Sequence, residues 1–89
     1  EEAMKMGLVH QVTENDALYR TGHALAKTML QNSPKAMNAA KQLIHDVASQ
    51  KIDAELRLQT AEHLANIRVS PQAKEGLQAF LEKRTPSWS

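Results

Sequence analysis

Four histidines, His10, His23, His45 and His63, are the first residues able to hold a metal or move a proton near neutrality. A metal site on a helix needs ligands one turn apart, and no two of these histidines stand at i, i+3 or i, i+4. Glu62-His63 lacks the second histidine of the zinc-protease pattern. Cysteine is absent, which excludes thiolate ligands and disulfides. The expectation is no metal site, with the histidines at surface or half-buried positions. Ser33 and Ser70 each precede a proline, which marks them as helix caps, and neither sits in a G-x-S-x-G elbow. Gly7, Gly22 and Gly76 are too far apart to cradle a phosphate. Glu55, Glu62, Glu75 and Glu82 have the spacing of a solvated helical face, whereas a general acid or base needs burial and a perturbed pKa. No catalytic residue is assigned.

One constellation remains: Phe80, Lys83 and Arg84, with Trp88 nearby. Phe80 and Lys83 are i and i+3, one turn apart on the same side of a helix. An aromatic ring and a cation so placed can engage an adenine face and a phosphate. The alternative reading makes Phe80 a core residue and leaves Lys83 and Arg84 to favour a helix C-terminus through its dipole.

The elements that must position these residues are helices. Glu1–Met6 reads as the end of one, with Gly7 at the C′ position where positive φ is least costly. Leu8-Val9-His10-Gln11-Val12 reads as extended, and Thr13–Asp16 as a turn. Asn15 or Asp16 is the expected cap of a helix to about Asn32, with Leu18, Gly22, Leu25 and Met29 in one apolar stripe. Ser33-Pro34 opens a helix to about Gln50, with Ala36, Met37, Ala40, Leu43, Ile44 and Val47 on its apolar side. Asp53 caps a third long helix to about Arg68. This one has two faces: Leu58, Ala61, Leu64 and Ala65 on one, and the less apolar Leu56, Thr60, His63 and Ile67 on the other. Two apolar faces imply two packing partners. Ser70-Pro71 opens the last helix, expected to reach about Arg84 with Ala73, Gly76, Leu77, Phe80 and Leu81 inward, and Thr85-Pro86 stops it. Gly76 in mid-helix predicts a close packing contact. The fold class is therefore all-α: four main helices in a small helical domain, with a short extended N-terminal segment and helix hairpins across the short loops.

With 42% hydrophobic residues but only Tyr19, Phe80 and Trp88 as aromatics, any core is aliphatic. A formal charge of +1 without a basic stripe gives no reason to expect nucleic acid as a partner. No apolar run approaches a membrane span, and Glu1-Glu2 does not open a signal peptide, so a cytoplasmic location is expected. The start in mid-pattern suggests a segment of a longer protein.

The order of motifs resembles the enoyl-CoA hydratase/isomerase (crotonase) family. Ala3-Met4-Lys5-Met6-Gly7-Leu8-Val9-His10-Gln11-Val12 is similar to the family's A-x-x-x-G-L-V-x-x-V segment. Leu25-Ala26, Ser33-Pro34-Lys35-Ala36 and Lys41 resemble its L-A…S-P-x-A…K stretch. Ser70-Pro71 with Glu75-Gly76-Leu77-Gln78-Ala79-Phe80-Leu81-Glu82-Lys83-Arg84-Thr85-Pro86-Ser87-Trp88 resembles its closing E-G-x-x-A-F-x-E-K-R-x-P-x-[FW]. Within the family, the middle and the ending look most like methylglutaconyl-CoA or carboxygeranoyl-CoA hydratases.

The resemblance implies that residues 1–89 form a C-terminal helical domain for oligomerisation and for covering the acyl-CoA site. The parent enzyme would stabilise a thioester enolate in an oxyanion hole built elsewhere, and would hydrate or isomerise an enoyl-CoA. It also implies that Phe80 and Lys83 hold the adenine and 3′-phosphate of coenzyme A. A further aromatic of that site would fall at Leu64, which can pack on adenine but not stack. No cofactor is implied beyond the coenzyme A thioester, which is substrate. By itself the chain is expected to be inactive and to bind coenzyme A weakly, because two contacts hardly offset the entropy cost of binding. It is also expected to self-associate through exposed apolar faces, as a trimer or hexamer in the full-length family and as a rearranged dimer in isolation. The rival expectation is a free-standing helical interaction module that buries its own stripes and leaves a groove for a partner helix.

Overall fold

The computed structural model describes residues 1–88. Three of the four long helices start where a side chain can satisfy a free N–H group. The helices are α1 (Glu2–Lys5), α2 (Leu18–Met29), α3 (Pro34–Val47), α4 (Ala54–Arg68) and α5 (Pro71–Glu82), with a single 3₁₀ turn at Asn15–Ala17 before α2. Among the described residues there is no strand, and residues 8–14 belong to no regular element. No described helix is long and apolar enough to cross a membrane.

Ser33 and Pro34 open α3 as expected: the Ser33 hydroxyl accepts from the Ala36 N–H at 3.0 Å. Asp53 accepts from the Leu56 N–H at 2.8 Å, and Ser70 from the Ala73 N–H at 3.2 Å. Neither Asn15 nor Asp16 caps α2. Both lie inside the 3₁₀ turn, and the residue before α2 is Ala17, which has no side-chain acceptor. The helices α2, α3 and α5 end at Met29, Val47 and Glu82, each short of the expected end.

α3, α4 and α5 pack on one another, whereas the backbone of α2 comes close to no other described element than the 3₁₀ turn that precedes it. Helix hairpins are thus confined to the second half of the chain. On α4 the packed face is Leu56, Thr60, His63 and Ile67, the less apolar of its two sides. Leu58 and Leu64 face outward. The α3–α5 junction is tied by Gln72, which is 9% exposed. Its Oε1 accepts from the Ser33 hydroxyl at 2.6 Å and from the Lys35 N–H at 3.2 Å. With Pro34 lacking an N–H and Ala36 bonded to Ser33, this leaves no orphan donor in the first turn of α3.

Beyond Gln72, the inward side of α5 is made of small residues. Ala79 is 1% exposed, while Leu77, Phe80 and Leu81, expected inward, lie on the outer face. A small-residue face lets α5 sit close to its neighbours, and the bulky residues then have no room on that side.

The whole is thin and open. The radius of gyration is 17.3 Å, against about 12 Å for a compact chain of this length. The accessible surface is 8095 Å², against about 5,200 Å² for a compact monomer of this mass.

Candidate functional site

Phe80 and Lys83 sit where α5 gives way to the C-terminal tail. The Phe80 ring is 78% exposed, so the reading of Phe80 as a core residue is excluded. With Leu77 and Leu81 it forms an apolar ridge along one side of α5. Lys83 is not on the helix. It lies one residue beyond the end, in the left-handed region at φ 54°, ψ 41°. The i, i+3 argument for a shared helix side therefore does not hold. The two residues are adjacent for another reason: the Lys83 N–H donates to the Phe80 carbonyl at 3.3 Å, and the Arg84 N–H to that of Ala79 at 3.0 Å. This pair of bonds is the Schellman closure of a helix. Its left-handed residue is usually glycine, because a side chain there costs roughly 1–2 kcal/mol.

Arg84 does not share in the site. Its guanidinium grips Glu75 through two nitrogens, at 2.6 and 3.0 Å, and Nε donates to Glu82 at 2.6 Å. Glu75 is therefore a clasp, not one more carboxylate of a solvated face. The hydrogen bond from Arg84, then that from the Ser87 N–H at 2.8 Å, pull the Glu75 carboxyl down to about 2. Arg84, followed by the Gln78 amide, also lowers Glu82, and the two carboxylates push Arg84 further up. Lys83 makes no ion pair among the described residues.

Trp88 follows the clasp. Its indole N–H donates to the Gln31 carbonyl at 3.1 Å, just past the end of α2. Its ring lies over Gly76, where an added Cβ would stand 3.1 Å from Cη2. Gly76 is thus the close-packing glycine expected from the sequence, and the partner is the tail of the same chain. Leu64 is exposed on α4.

Of the histidines, His10, His23 and His45 are exposed, and the His23 ring stacks obliquely on Tyr19 at 4.8 Å. His63 is half-buried where two hollows meet, one of about 310 Å³ among α3, α4 and the start of α5, the other of about 510 Å³ between α3 and α4. Its Nε2 has no hydrogen-bond partner among the described residues. Among those residues no three His, Asp or Glu side chains gather as metal ligands. The two carboxylates with shifted pKa values are both lowered by ion pairing. A general acid or base at neutral pH needs the opposite shift.

The family profile described as enoyl-CoA hydratase/isomerase matches residues 1–89. The chain belongs to the enoyl-CoA hydratase/isomerase family. Carnitinyl-CoA dehydratase of Citrobacter koseri is 31% identical over 91 residues, covering 99% of this chain and 35% of the relative. The same-named protein of Salmonella typhi is 30% identical over the same span. Among solved structures, an enoyl-CoA hydratase/isomerase (crotonase) from Legionella pneumophila superposes with TM-score 0.92 at 39% identity, over 99% of this chain and 34% of that one. An enoyl-CoA hydratase from Shewanella pealeana gives TM-score 0.89 at 33% identity, over 98% and 32%. The chain therefore spans about a third of the length of the family members it matches, and superposes on their helical part. The curated relatives carry the name of a third acyl group beside the two hydratases that the closing pattern resembles. The stripe of α2 is not self-buried, contrary to the expectation for a free-standing module.

Proposed function

We propose that residues 1–89 are the oligomerisation and lid region of an acyl-CoA hydratase or isomerase, and that Phe80 and Lys83 hold the adenine and 3′-phosphate of its coenzyme A thioester. The observation that carries this is the division of roles at the end of α5. The Phe80 ring is exposed and Lys83 has no ion pair among the described residues, while Arg84 is neutralised by Glu75 and Glu82. An exposed ring beside an ammonium suits a purine and a phosphate.

The reaction itself would be carried out by groups outside this chain. Hydration or isomerisation of an enoyl thioester needs an oxyanion hole and an acid or base of matched pKa, and the paired carboxylates of this chain are tuned away from that work. The surface excess over a compact monomer, roughly 3,000 Å², is of the size that a catalytic domain and sister subunits would cover.

Equilibrium binding of coenzyme A and 3′-dephospho-coenzyme A to the intact protein tests the reading. Lys83→Gln is expected to lower affinity for coenzyme A about tenfold or more and to leave the dephospho form nearly unchanged. Phe80→Ala is expected to weaken both. Unchanged affinities in both variants would reject the assignment.

A further inference from the structure

We propose that Glu75 is a positioning residue: it anchors residues 83–88 as a strap that holds Lys83 left-handed at the end of α5 and seats Trp88 against α2. The consequence for coenzyme A rests on the reading of Lys83 given above; the strap does not.

The same helix closure occurs twice in this chain with different residues. At the end of α1 the Leu8 N–H donates to Ala3 at 2.8 Å and the Gly7 N–H to Met4 at 3.1 Å, and the left-handed residue is Gly7 at φ 80°. Glycine meets that geometry without support, and nothing lies within 4 Å of its missing Cβ. At the end of α5 the left-handed residue is Lys83, the one non-glycine residue with positive φ among those described. A side chain in that region persists only where the surroundings over-determine it.

Glu75 supplies that determination from two turns below. One carboxylate oxygen takes Arg84 at 2.6 Å and the Ser87 N–H at 2.8 Å, and the other takes Arg84 at 3.0 Å. The stretch that follows Lys83 is thereby held through the Arg84 side chain and the Ser87 backbone. Trp88 extends the hold: Gly76, next to Glu75, leaves room for its ring, and the indole bond to Gln31 joins the strap to α2. Trp88 also lines a hollow of about 320 Å³ with Met29, Leu30, Pro34 and Met37. A lysine in place of the usual glycine adds a cationic side chain at the residue whose N–H bonds the Phe80 carbonyl, and Glu75 keeps that lysine in place without touching the ligand.

The test is hydrogen exchange over residues 83–88 in the intact protein, together with the ratio of affinities for coenzyme A and 3′-dephospho-coenzyme A. In Glu75→Ala, exchange at Lys83 and Arg84 is expected to rise at least tenfold with helical content retained, and the ratio to fall at least fivefold. Glu75→Gln, which keeps an acceptor for Ser87 but not the charge for Arg84, is expected to lie between. In Lys83→Gly, adding Glu75→Ala is expected to change exchange at that position much less, because glycine needs no support. Native exchange in Glu75→Ala would overturn the proposal. So would freed exchange with a native ratio while Lys83→Gln lowers it. If Lys83→Gln itself leaves the ratio unchanged, the phosphate reading fails, and the strap stands or falls on exchange alone.

Discussion

The second half of the chain and the first are built from equally regular helices but differ in what holds them. α3, α4 and α5 share packed faces and a polar tie, Gln72 on Ser33 and Lys35. α2 keeps Leu18, Tyr19, Leu25, Met29 and Leu30 exposed and meets the rest of the fold chiefly at its end, around Trp88. An amphipathic stripe therefore implies a partner without saying that the partner is in the same chain. Here the mutually packed part of the fold is α3–α5, and α2 is an arm whose apolar side stays open to solvent.

The largest change should follow from cutting the tie inside α3–α5. Gln72→Ala leaves the Ser33 hydroxyl and the Lys35 N–H without their acceptor in a part-buried place, and a loss of about 1–3 kcal/mol is expected in urea unfolding followed by helical circular dichroism. Ser33→Ala removes the cap of α3 and is expected to cost about 1 kcal/mol. Since the two side chains share a bond, the double variant should lose less than the combined single losses, with a coupling above about 0.5 kcal/mol. Strict additivity would mean that the tie is not formed.

Acid should loosen the join between arm and α3–α5 before it affects their packing. The folded pKa of Glu75 is lowered from 4.5 to about 2, so its contribution is complete above 4.5 and is lost as pH falls through the folded value. Emission from Trp88, the single tryptophan of the chain, should stay native above pH 4.5 and move to longer wavelength between there and pH 2. A change centred above pH 5 would contradict the clasp. The smallest effect on stability is expected in the arm itself. Leu25→Ser or Met29→Ser should shift unfolding by no more than about 0.5 kcal/mol but should shift sedimentation toward smaller species. A large destabilisation would show that α2 is packed in the monomer after all.

Much of the secondary structure was legible in the residues because its causes are local. Ser33, Asp53 and Ser70 each reach a backbone N–H three residues on, and Gly7 meets a conformation its own lack of a side chain permits. The cap assigned to Asn15 or Asp16 failed because the chain makes a 3₁₀ turn there and leaves Ala17 before α2. Of the site, Phe80 and Lys83 were named by spacing and family resemblance together. Glu75 and Arg84 were not linked, since nine positions match no helical repeat and the contact exists only because the chain reverses at Lys83. Gln72 carried no signal either, because its partners lie 39 and 37 positions away.

By itself the sequence determined that this chain is helical, where most of its helices begin, and which family its motifs follow, since each of these depends on side chains within a few positions or on their order. Only the tertiary structure decided which faces are used. It chose the less apolar side of α4 for packing, turned Leu77, Phe80 and Leu81 outward, and withdrew Arg84 from the site into its pairing with Glu75 and Glu82. The reason is physical: hydrophobic pattern reports that a surface should leave water, whereas its partner is fixed by shape and by bonds between residues far apart in the chain.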